Sequence, residues 1–291
     1  MKLGAVFPQI EMPADPIIIR DYAQAIEEMG FDYLLAYDHV LGANPDRPGG
    51  WKGRPYSYTD PFHEIFVLFG YLTGLTKTLE MVAGVLVLPQ RQTALVAKQA
   101  AQLDVLSGGR IRLGVGVGWN DVEFEALNEE FSNRGKRQAE QIELMNELWS
   151  KPLVTFNGEF HTVSDAGLNP LPVQQPLPVW FGGYADAALR RMARLGAGWF
   201  PGSQTPEKAG PTFNKIREYI SEAGRDPASF GLDPWVSNSR SKRSDWTPLA
   251  KEWQQIGATH LALETMRCGY SIDQHLDAAK QFIEEVGEFQ T

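Results

Sequence analysis

Short apolar runs alternate with longer amphipathic stretches along the chain, and this alternation occurs eight times. The apolar runs are rich in β-branched and aliphatic residues, which is typical of parallel strands that are buried on both faces. We therefore predict eight buried strands. They comprise residues 3–8, 32–38, 79–89, 110–118, 178–183, 197–202, 229–237 and 259–265.

The stretches between these strands have the spacing of helices, and some also have residues typical of helix ends. Asp15 and Pro16 match the start of a helix, and Gly30 follows its end. Asp60 is the predicted cap of the second helix. Helices are predicted over residues 15–29, 61–75, 93–106, 135–149, 185–195, 206–223, 245–256 and 271–286. Eight strand–helix units match an α/β protein with a (β/α)8 TIM barrel. The alternative, a doubly wound sheet, more often uses fewer strands.

Two connections are longer than a simple strand–helix loop requires. Residues 39–60 follow the second strand, so in a barrel this insertion lies over the C-terminal face, where active sites lie. Residues 151–178 separate the fourth helix from the fifth strand and contain a predicted hairpin with Asn157–Gly158 at its turn. We see no internal repeat or linker, and predict a single domain over residues 1–291.

Composition excludes several classes of function. The net charge of −9 and the pI near 5.1 count against binding of nucleic acid or a membrane through bulk charge. The single cysteine, Cys268, excludes an internal disulfide and fits a reducing compartment. No apolar run approaches the roughly 18 residues of a membrane span. We predict a cytoplasmic protein with a small-molecule substrate.

A glycine-rich segment, GVGVG, spans residues 114–118 at the end of the fourth predicted strand. A dinucleotide-binding fingerprint has the spacing G-x-G-x-x-G after a strand, whereas Gly114, Gly116 and Gly118 are evenly spaced and follow three earlier units. Glycines that alternate within a strand remove side chains from one face and let a flat ligand approach. The alternative is that they only relieve crowding inside the barrel.

Candidate site residues lie at the ends of two other strands. Asp38 and His39 end the second strand, where titratable residues of a barrel are typical of catalysis. The alternative is a capping aspartate beside a surface histidine. Gly182 and Gly183 end the fifth strand just before a helix, whose N-terminal amides can bind a phosphate group. A tight turn explains these two glycines equally well.

The densest basic cluster of the chain is Arg240, Lys242 and Arg243, after the seventh predicted strand. Phosphate sites of barrels often lie there, although such a run is more often simply solvated. His39 and His63 have no recognisable third metal ligand, and no H-E-x-x-H sequence occurs. We predict no metal site, which counts against a metal-dependent hydrolase.

Together these segments resemble the bacterial luciferase-like monooxygenase superfamily, and within it the branch of F420-dependent oxidoreductases. The resemblance covers nearly the whole chain and is less specific from about Gly202 onward. It implies a TIM barrel that holds the deazaflavin F420, or FMN, in its C-terminal mouth. The matching segments are FPQIE (7–11), YDHVLGANP (37–45), GVLVLPQRQTALVAKQAAQLDVLSGGRIRLGVGVGWNDVEFEAL (84–127) and NPLPVQQPLPVWFGG (169–183).

The resemblance also implies the roles of particular residues. His39, with Asp38 beside it, matches the position that acts near the reactive ring in sugar-phosphate dehydrogenases of the superfamily. Gly84 and Val85 match a bulge in the third strand, where relatives have a non-prolyl cis peptide bond behind the ring. By the same resemblance, residues of two further strands lie beside the cofactor: Gly116, Val117 and Gly118 next to the ring system, and Gly182 and Gly183 near its ribityl-phosphate arm.

The chain departs from the sugar-phosphate dehydrogenases at two positions. Trp119 stands where they have a glutamate that donates a proton, so we count Trp119 as a cofactor contact and do not predict their substrate. Ala197 stands where many relatives have the aspartate of an Asp-Gly-Trp sequence. Glu11, at the end of the first strand, is a candidate acid, and its alternative is an ordinary loop residue.

We therefore predict an F420-dependent oxidoreductase that transfers a hydride between the deazaflavin and a small organic substrate. His39 shuttles a proton, and the long loop with Trp51, Tyr56 and Tyr58 closes over the substrate. Arg240, Lys242 and Arg243, introduced above, would bind the anionic cofactor tail. The alternatives are an FMN-dependent monooxygenase that activates O2 and a non-catalytic flavin-binding barrel. The resemblance also implies a homodimer.

Overall fold

The computed structural model of the chain describes residues 1–51 and 54–291. The strands of these residues are β1 (Lys2–Val6), β2 (Tyr33–Ala36), β3 (Glu80–Val87), β4 (Ile111–Gly116), β5 (Val154–Asn157), β6 (Thr162–Ala166), β7 (Val179–Gly182), β8 (Gly198–Phe200), β9 (Gly231–Leu232), β10 (Trp235–Ser237) and β11 (His260–Glu264). The α-helices are α1 (Pro16–Glu28), α2 (Ile65–Thr73), α3 (Thr93–Ser107), α4 (Asp121–Ala126), α5 (Arg134–Ser150), α6 (Asp186–Leu195), α7 (Pro206–Glu222), α8 (Trp246–Ile256) and α9 (Ile272–Val286).

One curled parallel sheet contains the strands in the order β10-β11-β1-β2-β3-β4-β7-β8-β9. Its two outermost strands, β9 and β10, are separated in the chain only by Asp233 and Pro234. They are therefore two halves of one strand, and the sheet closes on itself as a barrel. This confirms the predicted (β/α)8 fold.

The seventh predicted strand, residues 229–237, was expected to be continuous and is not. Pro234 has no backbone N–H to donate to a neighbouring strand, which interrupts the ladder. The side chain of Asp233 points into the barrel, where it accepts hydrogen bonds from the Tyr33 hydroxyl at 2.6 Å and from Arg112 at 2.7 Å.

The N-terminal half of the barrel interior is filled by polar and aromatic side chains. Arg112 is buried and pairs with Asp233 and, at 3.2 Å, with Glu80. Its guanidinium carbon lies 4.5 Å from the ring centroid of Trp180 and 4.7 Å from that of Tyr33. Because this end is packed, a ligand-sized space can open only at the C-terminal ends of the strands.

Most predicted helices are confirmed to within one or two residues, and the second is the exception. It begins at Ile65, several residues later than predicted, because the Glu64 side chain caps it by accepting the backbone N–H of Val67 at 2.8 Å. Asp60, the predicted cap, instead accepts the N–H of Ser57 at 2.6 Å. The short helix α4 was not predicted at all.

The predicted hairpin is present as the antiparallel pair β5 and β6. Asn157 is the last paired residue of β5, opposite Thr162, so the loop comprises residues 158–161. Within it, His161 bonds to Glu140 of α5 at 2.8 Å and to Thr93 of α3 at 2.7 Å. Across the described part of the chain, no helix is long and apolar enough to cross a membrane.

Candidate functional site

A cavity of about 220 Å³ opens at the C-terminal mouth of the barrel. Its walls come from the ends of β1, β2, β10 and β11 and from the long loop after β2. The polar groups that reach it include His39, Tyr37, Glu264, Arg240 and Arg267. This is the face on which barrel enzymes have their active sites.

His39, the predicted proton shuttle, lies on the wall of this cavity. Its side chain is 14% exposed, and its ring centroid is 3.9 Å from that of Tyr56 and 4.9 Å from that of Phe62. Its Nδ1 atom is 3.4 Å from the carboxylate of Glu123. The aromatic contacts hold the ring in place, and the carboxylate gives it an acidic neighbour.

Glu123 is the main feature of the site that the sequence interpretation missed. Only 1% of this residue is exposed, and one of its carboxylate oxygens accepts the backbone N–H of Val40 at 2.7 Å and of Leu41 at 3.1 Å. An ionised carboxylate only accepts hydrogen bonds, so we assign the His39 proton to Nδ1. The other ring nitrogen, Nε2, is then left as an acceptor.

A sequence signal for Glu123 does exist. It stands three residues after Asn120, which is the spacing of a capping box, and Asn120 does cap α4 with its side chain. The glutamate of a capping box usually turns back to its own helix. Here Glu123 instead binds the start of the loop after β2, a contact that requires the tertiary structure.

Asp38 does not share the environment of His39. It is buried, pairs with Arg91 at 2.7 Å and accepts the backbone N–H of Val87 at 3.0 Å. Burial raises the pKa of the Asp38 carboxyl, and the attraction of Arg91 opposes this shift. Arg91 also pairs at 3.0 Å with Glu64, the N-cap residue of α2. Asp38 therefore connects the end of β2 to the end of β3 through Val87, and to the start of α2 through Arg91.

Glu11, the predicted acid, is engaged by the loop that follows β11. Its carboxylate oxygens accept the backbone N–H groups of Arg267 at 2.9 Å and Gly269 at 2.7 Å. It also lies 3.5 Å from Nε2 of the buried His275. These contacts position the loop that brings Arg267 to the cavity.

The strand-3 bulge is present where the resemblance places it. The peptide bond between Gly84 and Val85 is cis, and the register of β3 against β4 shifts between Ala83 and Leu86. The half-buried Val85 packs with the side chains of the barrel interior.

The strand glycines accommodate this bulge. A Cβ atom at Gly116 would lie 2.5 Å from a Val85 methyl carbon, and one at Gly182 would lie 3.3 Å from the other. A Cβ atom at Gly118 would lie 2.5 Å from a methyl carbon of Val87. These contacts support the alternative interpretation of GVGVG, in which the glycines relieve crowding inside the barrel. The approach of a flat ligand to this wall stays a prediction. Val117, between the last two glycines, is half-buried.

Trp119 and the long loop form an aromatic cluster beside His39. The Trp119 ring centroid is 5.4 Å from that of Trp51 and 5.2 Å from that of Tyr56. The Trp51 indole N–H donates to the Tyr56 carbonyl at 2.6 Å, and Asn120 donates to the Tyr56 hydroxyl at 2.6 Å. Tyr58, the third predicted loop aromatic, is 66% exposed and does not line the cavity.

Gly182 and Gly183 lead from β7 into α6, as predicted. Gly183 has a φ of +119°, a conformation that favours glycine. No side chain caps α6, since its N-cap residue is Ala185. The first amides of a helix have no partner within it, so this turn offers N–H donors to an anionic group.

The structure separates the three predicted cations. Arg240 lies on the central cavity, whereas Lys242 and Arg243 line another cleft beside α8 and α9. Arg243 pairs there with Glu285. The sequence cluster is therefore not a single basic surface.

Tyr37 and Glu264 form a half-buried contact on the wall of the cavity, and neither was predicted. The Tyr37 hydroxyl donates to Glu264 at 2.8 Å. Burial, reinforced by the Glu264 charge, raises the pKa of Tyr37 well above its ordinary value. Tyr37 therefore stays protonated and acts as a hydrogen-bond donor.

Comparison with known proteins identifies relatives and a shared fold. A family model described as luciferase-like monooxygenase matches residues 6–239. An uncharacterised protein of Mycobacterium tuberculosis is 36% identical over 209 residues, which cover 70% of this chain and 71% of that protein. An FMNH2-dependent dimethylsulfone monooxygenase of Pseudomonas putida is 32% identical over 184 residues, or 62% of this chain and 47% of that enzyme.

Among solved structures, an F420-dependent secondary alcohol dehydrogenase in complex with an F420–acetone adduct superposes with a TM-score of 0.79. The superposition covers 98% of both chains at 17% sequence identity. At this level of identity, the likeness shows that the two proteins share a fold.

Proposed function

The chain belongs to the luciferase-like monooxygenase family, and on that premise we propose that it is an F420-dependent oxidoreductase. It would transfer a hydride between the deazaflavin and a small organic substrate in the cavity at the barrel mouth. The observation that carries this proposal is the contact of His39 with the buried Glu123, because an imidazole backed by a carboxylate is suited to proton transfer.

The described residues fit a cofactor with a flat ring and a phosphate group. Gly116 and Gly182 have no side chain, and the valine side chain of Val85 that packs against them is short, so a flat ring could lie against this wall. The uncapped start of α6 after Gly183 supplies amide N–H groups for the phosphate. When bound, such a cofactor supplies the acceptor or donor of the hydride.

His39 would handle the proton that accompanies the hydride. With Nδ1–H directed to Glu123, its Nε2 can take the hydroxyl proton of a substrate that is being oxidised and return it in the reverse direction. Tyr56 and Phe62 hold the imidazole ring in place. Trp51 and Trp119 cover this side of the mouth and exclude water.

An FMN-dependent monooxygenase is the second candidate. A relative that is 32% identical is FMNH2-dependent, which supports this alternative. The three cations also support F420 less than their spacing in the sequence predicts, because Arg240 lies apart from Lys242 and Arg243.

Equilibrium titration of the purified protein with F420 and with FMN distinguishes the two. Trp51 and Trp119 lie at the mouth, so binding should quench tryptophan fluorescence as well as shift the cofactor absorbance. We expect micromolar binding of F420. If the protein binds FMN and not F420, the FMN-dependent monooxygenase becomes the favoured function. If it binds neither cofactor, both proposed functions are wrong.

The homodimer implied by the resemblance remains a proposal. Val67 on α2 and Leu95 on α3 are 73% and 54% exposed, and these two helices pack against each other. We propose that these exposed apolar side chains take part in a subunit contact. Light scattering of the purified protein measures its mass directly.

A further inference from the structure

Two arginines from different loops reach the cavity that contains His39. Arg240 follows β10 and Arg267 follows β11. We infer that these two guanidinium groups bind the carboxylate of a small organic substrate. This inference rests on the proposed function, because it assigns a substrate class to the same cavity.

Each guanidinium is held at one nitrogen by a neighbouring loop. Arg240 Nη1 donates to the Ser203 hydroxyl at 2.6 Å, and Arg267 Nη2 donates to the Pro55 carbonyl. Within residues 1–51 and 54–291, neither side chain has a carboxylate within the 4.0 Å of an ion pair. A guanidinium has five N–H donors, so each keeps donors for a ligand.

The charge of the cavity favours an anion. Glu264 is the carboxylate among its lining residues, and it is already engaged by the Tyr37 hydroxyl. Two guanidinium groups and one carboxylate leave a net charge of +1 on the wall.

The position of the cavity favours a substrate over the cofactor tail. It is lined by residues that end or follow β1, β2, β8, β10 and β11, whereas the wall that fits the cofactor lies on β3, β4 and β7. Its volume of about 220 Å³ is below the roughly 300–1,000 Å³ of pockets for drug-sized ligands. A few-carbon carboxylate suits this volume, and the fork of an arginine matches a carboxylate in geometry.

Matched pairs of ligands test the inference without any need for turnover. Lactate and pyruvate carry a carboxylate, whereas lactamide and pyruvamide have nearly the same shape and no charge. Calorimetric titration of the protein, with and without bound cofactor, should show the carboxylates binding at least about tenfold more tightly than the amides.

Variants then assign the effect to the two arginines. Arg240→Gln and Arg267→Gln should each weaken lactate binding by about tenfold or more while cofactor affinity stays unchanged. Arg267→Lys keeps the positive charge and should show a smaller loss, which guards against a folding defect in the glutamine variant. Arg20→Gln removes the same charge from the surface, where Arg20 pairs with Asp21, and should have no effect.

Two results would overturn the inference. One is equal binding of lactate and lactamide to the cofactor-loaded protein. The other is a variant at Arg240 that weakens F420 or FMN binding and leaves lactate binding intact, which would assign Arg240 to the cofactor. Failure of the proposed function is a separate result, since it appears as the absence of cofactor binding to the unmodified protein.

Discussion

Replacing Glu123 by glutamine tests whether its carboxylate sets the protonation of His39. In the native protein, the carboxylate accepts from three donors: the Val40 amide at 2.7 Å, the Leu41 amide at 3.1 Å and His39 Nδ1 at 3.4 Å. A glutamine has one acceptor oxygen and an NH2 group that only donates. The NH2 group of Glu123→Gln must therefore replace one acceptor oxygen, and the group it faces must give up its role as a donor.

The backbone amides fix the orientation of this glutamine, because they cannot change their protonation. The NH2 group then faces His39 Nδ1, which must become the acceptor, and the ring proton moves to Nε2. A general base contributes about 10²–10⁴-fold to a rate, so we expect kcat to fall within that range with little change in KM. Exchanging charged for neutral acceptors should lower the free energy of unfolding by about 1–3 kcal/mol.

Three measurements on Glu123→Gln check this reasoning. Nitrogen-15 NMR of the imidazole reports which ring nitrogen carries the proton, steady-state kinetics give kcat and KM, and urea denaturation gives the stability. Glu125→Gln, on the exposed side of the same helix, is the matched control. An unchanged kcat together with an unchanged position of the ring proton would refute the role of Glu123.

Three further predictions concern the cofactor wall and the barrel interior. Gly116→Ala places a Cβ 2.5 Å from a Val85 methyl carbon, and we expect F420 or FMN titration to show at least about tenfold weaker binding. Arg91→Met leaves the buried Asp38 without its cation, which should cost about 3–5 kcal/mol in urea denaturation. Burial lowers the pKa of His260 to about 2, so the unfolded chain binds more protons than the folded one below its ordinary pKa near 6.5. Through His260, the free energy of unfolding should therefore fall as the pH drops below about 6.5.

Control variants separate these effects from general damage. Gly182→Ala, with 3.3 Å to Val85, should weaken cofactor binding less than Gly116→Ala, and the reverse order would contradict the packing argument. Adding Asp38→Asn to Arg91→Met should recover part of the lost stability. His260→Gln should flatten the acid dependence, and an unchanged slope would show that another group is responsible.

The barrel could be predicted because its strands and helices repeat a local pattern. The interruption of the seventh strand was missed, although Pro234 was visible, because apolar residues on both sides extend the pattern across it. The start of α2 was misplaced since Asp60 and Glu64 are both possible caps, and only the folded loop shows that Asp60 is engaged by Ser57.

The site was predictable only in part, because its contacts join distant parts of the chain. His39 stood out as a titratable residue at a strand end, whereas its partner Glu123 is 84 positions away. Asp38 was grouped with His39 as a neighbour in sequence, but after the end of β2 the Asp38 side chain binds Arg91 while the His39 side chain faces Glu123. Arg267 lies on a loop with no distinctive pattern, and it reaches the cavity because Glu11 holds that loop.

A crystal structure of the protein with bound F420 tests the central claim most directly. We predict that the ring lies against Val85 and Gly116, with its phosphate at the turn of Gly183 and its open face toward His39. A ring bound elsewhere, for example in the cavity between Arg240 and Arg267 or on the outer surface of the barrel, would contradict the account.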